Sequence, residues 1–210
     1  MVNVGIIGAS GKAGQAILKE SLSRGFQVTA IVRNKSKITQ NVPVIEKDVK
    51  LLTQDDLKEF DVVVNAFAAT PGQENDHVQV GRRLIDALKN TNTRLIVVGG
   101  AGSLYVDEEK KVRLLNTEEF PKQFFPIAFS QTQNLDELRE SENLNWTFIS
   151  PAAFFDPAGE RTGEYKTGDD NFILNSKNES YISYADYAIA LVDEIERPKH
   201  LNARFAVVSV

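Results

Sequence analysis

The chain has no cysteine, only two histidines and a single tryptophan. Without cysteine there is no disulfide, no thiolate zinc site and no cysteine nucleophile, a composition that fits a reducing compartment. His77 and His200 are too isolated to suggest a metal site. No apolar run approaches the roughly 20 residues that cross a bilayer. The opening MVNVGIIG passes straight into glycine-rich sequence, without the basic and extended apolar parts of a secretory signal. Net charge is -5, which argues against nucleic acid as a partner. No G-x-S-x-G elbow supports a serine hydrolase. The expectation is a soluble cytoplasmic protein with no membrane or nucleic-acid partner.

What is present is a regular alternation. Short apolar, β-branched runs read as strands: VNVGIIG, QVTAIV, PVIEK, DVVVNAF, RLIVVGG and WTFIS. Several are apolar throughout, as parallel strands covered on both faces must be. Between them, AGQAILKESLSRG places Ala13, Ile17, Leu18 and Leu22 on one helical stripe and stops at Gly25. VGRRLIDALKN repeats the pattern through Val80, Leu84, Ile85 and Leu88, and a further helix covers SQTQNLDELRES. The stretch PAAFFDPAGERTGEYKTGDDN, with prolines, glycines and charges, reads as a loop beside the site. After it come a short strand near Tyr181, a helix from Tyr184 to Glu196 and a last strand RFAVVSV. Ser183 and Asp186 have capping-box spacing, the serine capping and the acid reaching back to an amide. The pattern predicts one α/β domain over residues 1–210: a doubly wound, mostly parallel sheet in a three-layer α/β/α sandwich, with a small substrate-side region at about 151–210.

Gly8, Gly11 and Gly14 lie between the first strand and the first helix. Small residues there let backbone approach a pyrophosphate, and the helix start offers free amides with partial positive charge. Gly8, Ala9, Ser10, Gly11, Lys12 and Ala13 are therefore candidate cofactor residues of a Rossmann-type domain. Gly11-Lys12 is not a P-loop, because Ile6 stands where the first glycine is needed and Ala13 follows the lysine.

The spacing G-x-x-G-x-x-G, together with RLIVVGGAGSL, NWTFISPAAFFDPAGERTGEY and ISYADYAIALVDEIERPKHLNARF, resembles the atypical short-chain dehydrogenase/reductases over the whole chain. Within that superfamily it resembles the NAD(P)H-binding proteins described as NADH-flavin reductases and the NmrA-like group. AIVRNKSK ends the second strand with Arg33 where an NAD-preferring site has an acid. A guanidinium there suits a 2′-phosphate, so NADP(H) is preferred, with NAD(H) the alternative. The resemblance implies Asp48 and Val49 beside the adenine, and Ala66, Phe67 and Ala68 under the ribose and pyrophosphate. It also implies Gly99, and Pro151, Ala152 and Phe154 from SPAAF, towards the nicotinamide.

The family's Tyr-x-x-x-Lys pair is missing. No tyrosine lies between Tyr105 and Tyr165, and FFPIAFSQTQNLDEL fills the expected segment. Only the serine is found, as Ser103, the one catalytic candidate, which either donates to an acceptor oxygen or finishes the turn after GGAG. A ketone substrate would need a proton donor for its developing alkoxide. A flavin or quinone delocalises the charge, so positioning alone can suffice. The expected activity is hydride transfer to a flavin, quinone or similar small conjugated acceptor, with flavin as substrate rather than resident group. The competing reading is an NmrA-like sensor that binds NADP(H) without turnover and acts through a protein partner; a sugar-nucleotide or isoflavone-type reductase is a weaker third. His77 could face the crevice, although an exposed helical position is expected of it. Tyr165, Tyr181, Tyr184 and Tyr187 could supply a phenol, although packing with satisfied hydroxyls is expected of them, and Phe154 and Phe155 either stack on a flat acceptor or pack the loop against the core. A homodimer is left open.

Overall fold

The computed structural model describes residues 2–210. Ten strands and five α-helices follow one another as β1 (Asn3–Ile7), α1 (Lys12–Ser23), β2 (Gln27–Val32), β3 (Val44–Glu46), α2 (Gln54–Leu57), β4 (Val62–Asn65), α3 (Asp76–Leu88), β5 (Arg94–Val98), α4 (Phe125–Glu140), β6 (Asn145–Ser150), β7 (Phe154–Asp156), β8 (Lys166–Gly168), β9 (Tyr181–Ser183), α5 (Tyr184–Glu196) and β10 (Ala203–Val208). Eight strands form one sheet in the order β3-β2-β1-β4-β5-β6-β10-β8, and β7 and β9 pair separately. All neighbours in the large sheet are parallel except β8, which runs antiparallel to β10. This is the doubly wound Rossmann order, whose direction reverses between β1 and β4.

The apolar strands are explained by burial on both faces. Successive side chains of a strand point to opposite sides. Val62 and Val64 accordingly join the core layer beneath α1 and α5, while Val63 joins the layer beneath α3 and α4. Val28, Ala30 and Val32 lie on the first side, and Ile31 on the second. A polar residue at any of these positions would be buried without a partner.

Helix α1 departs from its expected stripe at one position: Leu22 is at the surface, and the helix buries Gly14, Ile17, Leu18, Glu20 and Ser21. Helix α4 begins at Phe125, five residues before SQTQN, with Pro126 in its first turn, where a missing N–H costs nothing. The segment expected to be a loop carries β7 and β8. Only half of the expected capping box at α5 forms. Ser183 Oγ accepts from the Asp186 amide at 3.0 Å. The Asp186 carboxylate turns away, accepting instead from the amides of Thr162 and Gly163 at 3.0 and 2.9 Å and from the Thr162 hydroxyl at 2.7 Å. Asp186 is thus a buried anchor for a distant turn, a role that sequence spacing does not reveal.

Candidate functional site

The switch between β1 and β4 opens a crevice at the carboxyl ends of the strands, where ligands of this architecture bind. Gly8 turns the chain out of β1 with φ of 74°, and a Cβ there would stand 2.5 Å from the Ala66 carbonyl oxygen. Gly14 is equally constrained: its Cβ would lie 2.2 Å from the Gly8 carbonyl oxygen. Two of the three glycines are thus required by packing, since they bring α1 against the turn. Gly11 differs. A Cβ would meet only the Gly8 carbonyl, at 3.2 Å, and its outer side is open.

Gly11 caps α1 without any side-chain hydrogen bond, and no acidic residue lies in the first turn. Among the described residues, the amides of Lys12, Ala13 and Gly14 have no hydrogen-bond acceptor, while Gln15 is the first to bond back, to the Gly11 carbonyl at 2.8 Å. These unpartnered donors, with the positive helix end behind them, fit a pyrophosphate.

Two adjoining cavities fill the crevice and share the wall Ala66–Phe67–Ala68. The smaller, about 290 Å³, is lined by Gly8, Ser10, Gly11, Arg33, Asn34, Lys37, Lys47, Asp48, Val49, Lys50 and the shared wall, among others. Its cations are not equivalent. Lys47 pairs with Asp56 and Lys50 with Asp76, both at 2.6 Å, whereas Arg33 and Lys37 make no ion pair among the described residues. The loop that carries them is set by Asn34, which accepts from the Ser36 amide, and by Glu46, which accepts from the Lys35 amide. The Asp48 carboxylate is committed to the Lys50 amide at 2.9 Å.

The larger cavity, about 480 Å³, runs from Ala13 and the shared wall across Val98–Gly102 to Pro151–Ala153, and is roofed by Phe120, Phe124, Ile127, Phe155 and Tyr184. Gly99, Pro151 and Ala152 thus line this cavity. Ala9 and Lys12 line neither cavity, Ala9 being buried and Lys12 exposed.

Two expected residues are corrected. Ser103 is buried and lines neither cavity. Its hydroxyl accepts from Arg204 Nη1 at 3.1 Å, and Arg204 is itself paired with Asp170 at 2.7 Å. Ser103 therefore holds the loop after β5 to the sheet and does not face an acceptor. Phe154 is 61% exposed and packs on the Tyr181 ring, 5.5 Å away. Strand alternation sends its neighbour Phe155 inward instead, 4.0 Å from the Tyr184 ring and 4.8 Å from that of Tyr187.

His77 is also corrected, from an exposed position to a buried one on the larger cavity. Its Nε2 accepts from the Ala69 amide at 3.4 Å, and its ring meets Phe67 edge-on at 5.4 Å. Burial lowers its pKa to about 4, so the neutral imidazole braces the shared wall across ordinary pH. Asn65 braces the same wall from below, accepting from the Phe67 amide at 3.1 Å.

Of the tyrosines, Tyr165, Tyr181 and Tyr187 donate to Asp193, Asp156 and the Ile149 carbonyl. Tyr184 makes no such bond among the described residues, lines the larger cavity, and has its pKa raised by burial. Phe155 and Tyr184, each weighed from the sequence for a role at the acceptor, both line the cavity; sequence reasoning missed Phe124, Ile127 and Gln131. Gln131 was signalled only indirectly, by the bare Gly100 on which its amide packs.

Comparison with known proteins agrees with this geometry. The fold and the glycine turn define a Rossmann-type nucleotide-binding protein. Residues 8–198 match the model of the NAD(P)H-binding family, and the chain belongs to that family. It is 61% identical over 210 residues to the uncharacterized protein YwnB of Bacillus subtilis, covering 99% of each chain. A Streptococcus pneumoniae structure, provisionally assigned as an NADH-flavin reductase, superposes with a TM-score of 0.97 at 46% identity over the full length of both chains. A Bacteroides thetaiotaomicron structure, provisionally assigned as an epimerase, gives a TM-score of 0.88 at 35% identity, covering 100% of this chain and 97% of the other. No described helix is long and apolar enough to cross a membrane.

Proposed function

We propose that the chain is an NADPH-dependent reductase acting on a small conjugated acceptor. The observation that carries this reading is the continuity of the two cavities across Ala66–Ala68. One is polar and cationic, the other apolar and roofed by aromatic rings, and a dinucleotide laid across the helix start would reach from the first into the second.

In this reading Arg33 and Lys37, the lining cations without ion pairs among the described residues, receive the 2′-phosphate, and Asp48 and Val49 flank the adenine. The free amides of Lys12, Ala13 and Gly14 take the pyrophosphate. Gly99, Pro151 and Ala152 seat the nicotinamide, with small or rigid residues that allow close approach. When bound, the reduced nicotinamide supplies a hydride. The chain supplies positioning: Phe155 and Tyr184 press a flat acceptor towards the nicotinamide seat, and the surrounding apolar side chains exclude water. Among the described residues no Tyr-Lys pair lines the cavity, which favours an acceptor that delocalises its own charge over ketone or epimerase chemistry.

A second reading is the sensor that binds NADP(H) without turnover. It is favoured by Phe124, Phe125 and Phe129, which are 53%, 41% and 52% exposed at the start of α4 and could cover a partner. Acceptor-dependent oxidation of NADPH, followed by nicotinamide absorbance beside an NADH control, separates the two. The reductase reading expects saturable turnover with NADPH preferred. Tight dinucleotide binding with no turnover on a quinone or flavin would overturn it in favour of the sensor.

A further inference from the structure

The charge of the larger cavity narrows the acceptor. Among its lining residues there is no lysine or arginine, and the one charged side chain is Glu119, exposed at the rim. His77, the one basic side chain among those lining residues, is held neutral by burial. The apolar walls of the cavity include Phe67, Phe120, Phe124, Phe155, Ile127 and the ring of Tyr184. The smaller cavity, by contrast, has four basic residues on its wall. The crevice therefore concentrates its cations where the dinucleotide would lie and leaves none for a second phosphate.

FMN and FAD both carry phosphate. Buried or half-buried against an apolar wall, a phosphate needs a counter-charge or several donors, and here it would meet a carboxylate. A quinone brings only two carbonyl oxygens and a flat ring, which match aromatic walls and the few polar groups present: Thr117, Gln131 and the Tyr184 hydroxyl. Resting on the reductase reading above, we infer that the larger cavity is a quinone site that excludes phosphorylated flavins.

The step balances without any further reactant. A quinone carbonyl oxygen accepts the hydride from reduced nicotinamide, the second oxygen takes a proton from solvent, and hydroquinone and oxidised nicotinamide result. Two electrons leave the dinucleotide and two enter the quinone. The chain has no cysteine, so a quinone cannot be trapped as a thiol adduct.

The test measures both binding and turnover on the full chain with three probes: menadione, riboflavin and FMN. Calorimetric titration into protein saturated with oxidised NADP should show menadione at least about tenfold tighter than FMN, as expected where a phosphate finds no partner. Glu119→Lys, at an exposed rim position, should improve FMN binding by about fivefold or more while menadione stays within about twofold. FMN binding as tightly as menadione, with no response to Glu119→Lys, would overturn the assignment, and riboflavin binding tighter than menadione would replace quinone by an unphosphorylated flavin. Turnover is scored separately. If menadione binds as expected but no acceptor oxidises NADPH, the quinone-shaped site stands and the reductase reading falls. If FMN supports the faster turnover and the tighter binding, the reductase reading stands and the quinone assignment falls.

Discussion

The two ends of the crevice are built from different materials. At the β2 end the wall is a cationic loop whose backbone is fixed by Asn34 and Glu46, leaving Arg33 and Lys37 without ion pairs among the described residues. At the β5–β6 end the wall is apolar and aromatic, with a single carboxylate at its rim. Both ends share one wall, Ala66–Ala68, braced by Asn65 and neutral His77. Fixed charge suits a ligand that is always the same, whereas an apolar slot grades acceptors by shape and charge. The contrast implies that changes at one end leave affinity at the other nearly intact, and that only the turn and the shared wall affect both.

The largest effect is expected where both ends depend on one contact. Gly14→Ala places a methyl 2.2 Å from the Gly8 carbonyl oxygen and must push α1 off the turn. Dinucleotide affinity should fall by about 100-fold or more with a stability loss of about 1 to 3 kcal/mol, read by calorimetry and thermal melting.

The shared wall comes next, through His77. Its folded pKa of about 4 lies below the ordinary imidazole value of 6.5, so the unfolded chain binds the extra proton between those values. Its contribution is therefore fully present above pH 6.5 and is lost as pH falls towards 4, by about 3 kcal/mol in all. His77→Gln should lose less stability than the parent over that interval, measured by denaturant unfolding at each pH. Equal acid sensitivity in the two proteins would place the imidazole in water.

Smaller effects belong to one end each. Arg33→Ala should weaken NADPH by about tenfold or somewhat more and leave NADH within about twofold, since only the phosphorylated ribose loses a charge-assisted bond. Phe155→Leu should lower kcat/KM for the acceptor by about fivefold with the dinucleotide Kd unchanged, as expected for loss of one ring from a stacked wall. Ser103→Ala is expected to do least to catalysis, altering turnover by less than about twofold while costing about 1 kcal/mol through its lost bond from Arg204. A large loss of kcat in that variant would return Ser103 to the chemistry.

The sheet was legible because both of its faces are covered, which leaves unbroken runs such as VVV in β4 and AIV in β2. Helix α5 was read to its ends, Tyr184 and Glu196, from a serine cap and an apolar run. Gly8, Gly11 and Arg33, read from strand ends in order along the chain, line the crevice, as do Asp48 and Ala66, which the family resemblance named. What escaped depends on partners far away in sequence. Ser103 meets Arg204, 101 residues on, and Asp186 meets Thr162 across 24 residues. Phe155 faces inward because β7 pairs with β9 through Phe155 and Ile182; the sequence left Phe154 and Phe155 equivalent, since a stretch read as loop carries no alternation to exploit. His77 looked like an exposed helical residue until α3 was placed against the loop after β4.

The most direct test of one crevice with two unlike ends is a map of backbone amide shifts on adding oxidised NADP and then menadione. The account predicts that the dinucleotide moves amides at 8–14, 33–37, 48–49, 66–68 and 99–100, and that menadione then moves residues around Phe120, Phe155 and Tyr184 without reversing the first set. Menadione that displaces the dinucleotide, or a dinucleotide that leaves 66–68 undisturbed, would contradict it.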